Sequence, residues 1–127
     1  MVISTFQHPF YPNSHWKVDE ENIVNIPIDA ETASIAFRRQ IESKVINAVS
    51  KFKPDMIFLS AGFDAHTDDP MGGLDLIEDD YYWLGKLSKS LAKTYCKGRM
   101  ISMMEGGYNL ESLACSAHEH IRSLKEN

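Results

Sequence analysis

The sequence predicts an α/β fold, in which a mostly parallel β-sheet is covered by helices in a three-layer arrangement. Short apolar segments of strand length alternate with longer segments whose apolar residues recur every three or four positions. One short segment, residues 56–59, is apolar throughout, which is typical of a parallel strand covered on both faces. The length of 127 residues, of which 43% are hydrophobic, fits one globular domain, and we assign residues 1–127 to it.

The chain begins with two predicted strands, residues 2–6 and 23–26, separated by a loop. Pro27 is expected to end the second strand, because proline removes a backbone donor. The intervening residues that exclude regular structure are Pro9, Pro12, Asn13 and Ser14.

A first helix is predicted over residues 32–52, where apolar residues form one stripe. Pro54 ends this helix, since its ring disfavours the helical conformation of the preceding residue. The stripe consists of Phe37, Ile41, Val45, Ala48 and Phe52.

A second helix is predicted to follow the strand at residues 56–59. It begins near Asp79 and Asp80, whose carboxylates suit the positive end of the helix dipole. Gly98 is well placed to end it. Its inner stripe would be Leu84, Leu87, Leu91 and Tyr95.

A last strand, residues 99–104, leads into a third helix that begins near Leu110 with Asn109 as its cap. His118 and His120 are two residues apart, so they point to nearly opposite sides and cannot bind one ion together. We expect both on the surface or facing a partner. The apolar face of this helix would be Leu110, Leu113, Ala117, Ile121 and Leu124.

Composition and charge exclude several functions. The net charge of −5 does not indicate the basic surface that binding to nucleic acid or to an anionic membrane requires. No apolar run approaches the roughly 20 residues of a membrane span, and the first residues lack the layout of a secretory signal. Cys96 and Cys115 form no metal or redox motif, so we expect buried, reduced thiols in a cytoplasmic protein. Trp16 and Trp83 are expected to pack rather than to stack on bases.

Two loops are the candidates for function, because active groups in parallel sheets lie at the carboxyl ends of the strands. Residues 60–66 and 105–109 both follow predicted strands, so we expect them at the same edge of the sheet. Asp64, in the first loop, could bind a metal, act as a base or cap the following segment. The acidic stretch 64–80 contains no Lys or Arg; such a cluster is usually a solvated loop, but it could also hold a cation.

Several neighbouring residues allow both a structural and a functional interpretation. His66 could share a ligand site with Asp64, although a single loop histidine is more often a hydrogen-bonded structural group. Residues 68–73 are typical of a constrained turn. Gly106 and Gly107 could bring the backbone close to a ligand at a helix start that could hold an anion. Tyr108 could act there, or pack its ring and expose its hydroxyl.

The run PDMIFLSAGFDAH at residues 54–66 resembles the zinc-dependent histone deacetylase superfamily, which includes acetoin-utilisation proteins and acetylpolyamine amidohydrolases. EGGYNL at 105–110 and DPMGG at 69–73 are similar to later motifs of the family, and QHPFYP at 7–12 resembles its substrate-channel loop. The resemblance spans nearly the whole chain and fits the bacterial class II-like branch best.

This resemblance implies an arginase/deacetylase-like fold and particular roles. Asp64 would be a zinc ligand, since a carboxylate oxygen is a donor that zinc accepts and the metal activates water. Tyr108 would polarise the amide carbonyl and stabilise the oxyanion. Gly106 and Gly107 would line the inner channel, and Tyr11 would form part of its wall.

The sequence departs from the family in one large respect. The family's other zinc ligands come from an earlier Asp-x-His run, and its acid and base come from an adjacent histidine pair. This sequence has no His-His pair, and its only Asp-x-His run is residues 64–66. Asn13-Ser14-His15 also replaces a glycine-containing run. The chain therefore resembles the C-terminal part of the domain, and we expect neither tight zinc binding nor activity from it alone.

Three hypotheses remain open. The chain is a fragment of a deacetylase that acts on acetyl-lysine or another acetylated amine. Alternatively, it is a non-catalytic structural or interaction module that forms homo-oligomers through the side a missing N-terminal portion would cover. A composite site between two chains is least favoured; it would use Asp64, His66, His8 and His15.

Overall fold

The computed structural model describes residues 1–14, 16–18 and 20–126. Strands and helices follow one another in the predicted order. The elements are β1 (Val2–Gln7), β2 (Ile23–Ile28), α1 (Ser34–Phe52), β3 (Ile57–Ala61), α2 (Glu78–Tyr95), β4 (Met100–Met104) and α3 (Leu110–Lys125).

The described strands form two separate parallel pairs, β1 with β2 and β3 with β4. Pro27 does not end β2, as the sequence had predicted, but lies inside it opposite Phe6. The reason is geometric: the N–H groups of Val2 in β1 and of His8, which directly follows β1, donate to the carbonyls of Asn22 and Ile28, so alternate residues face the partner strand. Pro27 belongs to the alternate set of β2 residues that face away from β1. The position of its missing N–H therefore also points away from β1.

The main core lies between the β1–β2 pair and α1. It consists of the buried residues Ile26, Ile28, Phe37, Ile41, Leu74 and Leu76. Phe37 and Ile41 of the predicted stripe are therefore confirmed, whereas Phe52 at the end of the helix is exposed. The helix ends at Phe52, and its C-cap residue Lys53 adopts a left-handed conformation just before Pro54.

The β3–β4 pair is covered on one face only. Phe58 is 64% exposed, and its register partner Ile101 and the nearby Met103 are exposed as well. The prediction of a strand buried on both faces is therefore wrong. The described chain covers only the face that carries Ser102, which contacts His120 of α3.

The buried face of α3 also differs from the prediction. Leu110 and Ile121 are exposed, and the helix buries a polar face instead. Small side chains let α3 approach α2 closely at Gly85, where a Cβ atom would collide with Ser123 Oγ. The buried residues of α3 are Ser112, Ser116, His120 and Ser123.

His120 is 6% exposed, so its predicted position on the surface is wrong. Its Nε2 lies 2.8 Å from Ser102 Oγ on β4. Burial lowers the pKa of His120, partly offset by a hydrogen bond to the backbone of Tyr81. His118, on the opposite side of the helix, is exposed as predicted.

Helix α2 begins at Glu78, one residue before the predicted start, and Leu91 of its predicted stripe is buried. Asp80 ties this start to α1, because its carboxylate accepts from Ser34 Oγ at 2.6 Å and pairs with Arg38 at 2.7 Å. After the helix, Gly98 has φ +79° and donates to the Ala92 carbonyl, as its predicted role at the helix end requires.

Cys96 is buried as expected, but Cys115 is exposed, so that part of the prediction is wrong. Trp83 packs under the Arg38 guanidinium, 5.5 Å from the ring centre. Within residues 1–14, 16–18 and 20–126, no helix is long and apolar enough to cross a membrane.

Candidate functional site

The two candidate loops meet at the carboxyl edge of the β3–β4 pair, as the sequence predicted. Phe63 N donates to the Gly106 carbonyl at 2.8 Å, and Glu105 N donates to the Ala61 carbonyl at 2.9 Å. These bonds extend the parallel pairing of the strands by one step on each side. Both loops therefore start from a fixed backbone.

Asp64 lies between two glycines that leave room for its carboxylate. A Cβ atom on Gly106 would be 2.5 Å from Asp64 Oδ2, and one on Gly62 would be 3.1 Å from Oδ1. Any side chain at Gly106 would thus displace the carboxylate. Asp64 itself is partly buried.

The Asp64 carboxylate is not used inside the described structure. Neither oxygen has a hydrogen bond or ion pair among residues 1–14, 16–18 and 20–126. The capping interpretation of Asp64 is therefore not supported, whereas a carboxylate with two free acceptors remains available to a ligand. It borders a cavity of about 370 Å³ whose wall also includes Glu105, Gly106 and His120.

Tyr81 of α2 supports the Asp64 loop through two contacts with Phe63. Its hydroxyl donates to the Phe63 carbonyl at 3.0 Å, and its ring packs 5.1 Å from the Phe63 ring. Burial, followed by the charge of Asp64, raises the pKa of Tyr81 above its ordinary value. The phenol therefore stays protonated and keeps this donor role at every physiological pH. The sequence analysis assigned no role to Tyr81.

Tyr108 has an exposed side chain on a firmly held backbone. It is 58% exposed, and its backbone N–H donates to Asp69 Oδ2 at 2.7 Å. Asp69 is buried, and its other oxygen accepts from Met71 N at 2.8 Å, which makes the predicted turn. One carboxylate thus joins the 68–73 turn to the tyrosine loop.

Asn109 fixes the other side of Tyr108. Its Oδ1 caps α3 by accepting from the backbone of Glu111 and Ser112, as predicted. Its Nδ2 donates to the Asp68 carbonyl at 3.0 Å. The residue before Tyr108 is also constrained: Gly107 has φ +137°, and a Cβ atom there would be 2.8 Å from Leu113 Cδ1. The phenol is thus presented to solvent from a rigid backbone.

Tyr11 lies in the loop after β1 and is 87% exposed. This loop leaves from the same end of the fold as the Asp64 loop, because Gln7 Oε1 at the end of β1 accepts from Gly73 N at 2.9 Å. Tyr11 does not line the cavity beside Asp64.

The histidines do not gather around Asp64. His66 is buried, accepts from Asp68 N at 3.1 Å, and turns its unbonded Nε2 towards Glu78 Oε1 at 3.4 Å. The ring of His8 stacks on Trp16 at 4.3 Å between centroids. His15, the last member of the predicted composite site, lies outside the described residues. In the part of the chain that the structure describes, no three His, Cys, Asp or Glu side chains form a group that could hold a metal.

A family model for the histone deacetylase domain matches residues 1–124 of the chain. The chain is 46% identical over 109 residues to type-2 histone deacetylase 2 of Dictyostelium discoideum, a match that covers 84% of this chain and 6% of the relative. It is 39% identical over 128 residues to chloroplastic histone deacetylase 14 of Arabidopsis thaliana, which covers 96% of this chain and 30% of the relative.

Among solved structures, acetylpolyamine aminohydrolase from Burkholderia pseudomallei superposes with a TM-score of 0.83 at 27% identity. That superposition covers 96% of this chain and 36% of the solved chain. The chain thus spans less than two fifths of each of these relatives, and it has the fold of the corresponding part of a deacetylase domain. The chain belongs to the histone deacetylase domain family.

Proposed function

We propose that this chain is the C-terminal part of a zinc-dependent deacetylase domain that hydrolyses the amide of acetyl-lysine or another acetylated amine. The observation that carries the proposal is the Asp64 carboxylate: it is held between Gly62 and Gly106 with both oxygens free of internal partners. The exposed Tyr108 on the adjoining loop supports the same function.

The residues of this chain fit one position of a zinc centre but not a whole one. A catalytic zinc site needs three protein ligands besides water. Asp64 offers one oxygen ligand, and no described residues join it in a group of three. The chain alone therefore does not fit the metal, and we expect it to be inactive until the rest of a deacetylase domain supplies the other ligands and the acid and base.

The roles that we assign to the chain's own residues follow from their positions. The Tyr108 phenol would donate a hydrogen bond to the oxygen of the acetyl group as negative charge develops there. Asp69, which bonds to the Tyr108 backbone, would be a positioning residue. Gly106 and Gly107 would line the narrow part of the channel, and Tyr11 would contribute to its outer wall. The cytoplasmic location expected from the sequence remains a prediction.

The test is complementation. The chain is co-expressed with the part of the Burkholderia pseudomallei aminohydrolase that precedes the region matched here, and the complex is assayed with acetyl-lysine peptide and with acetylated polyamine in the presence of zinc. We expect turnover by the complex and none by either part alone. Asp64→Asn should abolish it, and Tyr108→Phe should lower kcat by about 100-fold or more. Asp55→Asn, at an exposed carboxylate before β3, is the matched control and should leave turnover unchanged.

Two results would contradict the proposal. One is chelator-sensitive amide hydrolysis by the chain alone. The other is a stable, zinc-loaded complex that hydrolyses neither class of substrate.

A non-catalytic module is the second candidate function. The exposed apolar side chains of Phe58, Ile101 and Met103 on one face of the β3–β4 pair favour it, because such patches usually bind protein. In this case the chain would form homo-oligomers. Light scattering over a range of concentrations tests this: a monomer that neither self-associates nor complements a deacetylase part would exclude both candidates.

A further inference from the structure

The side chain of Gln7 connects the end of β1 with the turn at residues 68–73. Its Oε1 accepts a hydrogen bond from Gly73 N at 2.9 Å, across 66 residues of sequence. The backbone of Gln7 is fixed as well, because it lies opposite Ile28 in the parallel ladder and the next residue, His8, donates to the Ile28 carbonyl at 2.8 Å. A firmly held strand end thus presents this acceptor to the turn.

The contact between Gln7 and Gly73 is close because Gly73 has no side chain. A Cβ atom on Gly73 would lie 3.0 Å from both Oε1 and Nε2 of Gln7. This separation is shorter than the ordinary contact distance of a carbon atom, so any side chain at Gly73 would push the amide away. A change at either residue therefore alters the hydrogen bond between them.

The other end of the same turn holds the backbone of Tyr108. Asp69 accepts from Tyr108 N at 2.7 Å with one oxygen and from Met71 N at 2.8 Å with the other. Pro70 lies between Asp69 and Met71 and restricts the turn further, because its ring fixes φ. A short, internally bonded segment therefore connects the Gln7 side chain with the backbone of Tyr108.

The middle of the turn lies against Asp64. A Cβ atom on Gly72 would overlap the carbonyl oxygen of Asp64, so the two backbones are in direct contact there. Gly72 directly precedes Gly73, whose N–H is bonded to Gln7. A shift of the turn would therefore reach Asp64 and Tyr108 together, and these are the two residues on which the proposed function depends.

Other hydrogen bonds keep the turn attached to the fold without Gln7. Glu31 N donates to the Gly73 carbonyl at 2.7 Å, and Asp75 N donates to the Thr32 carbonyl at 3.1 Å. Loss of the Gln7 acceptor would therefore leave the exit of the turn in place and free only the side that faces β1. We expect such a loss to change the position of the turn rather than the folding of the chain.

We propose that Gln7 is a positioning residue for the reaction. Its side-chain oxygen, bonded to Gly73, holds the 68–73 turn in the place where the turn fixes the Tyr108 backbone and contacts Asp64. This role rests on the proposed function, because it takes Tyr108 and Asp64 as the groups that act on the acetylated amine. The alternative is that the bond serves only the stability of the fold.

The first experiment measures residue-resolved hydrogen exchange in the free chain. Gln7→Met keeps the side-chain length and removes the acceptor, whereas Gln7→Glu keeps an acceptor oxygen. The Nε2 group that both substitutions replace makes no hydrogen bond to any residue that the structure describes. We expect the amides of Gly73 and Tyr108 to exchange about tenfold or more faster in Gln7→Met, and at nearly the unaltered rate in Gln7→Glu. Gln40→Met, at the other glutamine of the chain, is the matched control and should change neither rate.

The second experiment measures kinetics in the complex with the complementing part of the Burkholderia pseudomallei aminohydrolase. Gln7→Met should lower kcat about tenfold or more while KM changes little, because a small misplacement of the reacting groups slows the chemical step. Gln7→Glu should recover most of this loss. Gly73→Ala, which displaces the amide from the other side, should resemble Gln7→Met. Urea unfolding of each variant measures its stability separately.

The outcomes separate the positioning role from the alternative and from the proposed function. Faster exchange at Gly73 with unchanged exchange at Tyr108 overturns the positioning role, and so does a loss of kcat that Gln7→Glu does not recover or that only follows a loss of stability in urea. Faster exchange at both amides, in a chain whose complex is inactive even with Gln7 in place, supports the link from Gln7 to Tyr108 and contradicts only the proposed activity.

Discussion

The buried carboxylate of Asp69 accepts a hydrogen bond from the backbone N–H of Tyr108 at 2.7 Å, across 39 residues of sequence. Its second oxygen accepts from Met71 N, so one side chain fixes the turn and the tyrosine loop together. The exposed phenol therefore has a defined position although its own ring has little packing to hold it.

Replacement of Asp69 should loosen this loop. Asp69→Ala leaves two backbone donors without their acceptor, and we expect the free energy of unfolding to fall by about 1–3 kcal/mol. In the complemented complex, kcat should fall more than KM rises, because the phenol would lose its position. Asp68→Ala removes the neighbouring, exposed carboxylate and should change neither quantity. Equal effects of the two substitutions would show that Asp69 has no special role.

A methyl group at Gly106 should displace the Asp64 carboxylate, because its Cβ atom would lie 2.5 Å from Oδ2. We expect Gly106→Ala to abolish turnover of the complemented complex while the chain still folds. Gly98→Ala is the control: it strains a backbone at φ +79° but touches nothing within 4 Å, so it should lower stability without lowering turnover. Full activity of Gly106→Ala, measured in the same assay, would remove Asp64 from the site.

Contact between α2 and α3 should depend on Gly85. Its added Cβ atom would overlap Ser123 Oγ, so we expect Gly85→Ala to lower the free energy of unfolding in urea by about 1–3 kcal/mol. Ser123→Ala in the same chain removes the overlapping oxygen and should restore part of that loss. Strictly additive effects of the two substitutions would mean that the helices do not meet as closely as described.

The stability of the chain should depend on pH through His120. Burial lowers its pKa, so the folded chain keeps the ring neutral at a pH where the unfolded chain, with an ordinary pKa of about 6.5, already takes up a proton. The contribution of His120 is therefore fully present above pH 6.5, and it is lost progressively as the pH falls towards the lowered value. Urea unfolding between pH 7.5 and 5 measures this loss.

Two variants isolate the contribution of His120. His120→Gln should flatten the pH dependence of unfolding. His118→Gln, two residues away on the exposed side of the same helix, should leave it as in the unaltered chain. A slope that survives in His120→Gln would assign the pH dependence to another group.

The order and type of the elements could be predicted from the sequence, because the apolar period identifies a strand or a helix locally. Which face is covered could not be predicted, because that depends on what packs against the element. Leu110 and Ile121 belong to a regular apolar stripe, yet α3 buries its serines against α2. The reason is that the two helices approach closely at Gly85, which requires small side chains on α3. For the same reason, Phe58 lies on an uncovered face although its segment is apolar throughout.

The site was predictable to the extent that its residues follow strands. The loops of Asp64 and Tyr108 follow β3 and β4, and the rule for parallel sheets brings them to one edge. The supporting residues Asp69 and Tyr81 could not be assigned in this way. Their bonds connect distant segments, Asp69 to Tyr108 and Tyr81 to Phe63, and no local pattern encodes such a pair.

Pro27 limits the addition of further strands at the outer edge of β2. Edge-to-edge stacking of many copies requires a bonding border at both ends of each unit, and the β2 border lacks a donor at Pro27, near the end of the strand. A strand that adds along that border would therefore lack one backbone hydrogen bond, which disfavours elongation there. Pairing of copies through β2 is thus weaker than pairing through a strand edge that has every N–H group.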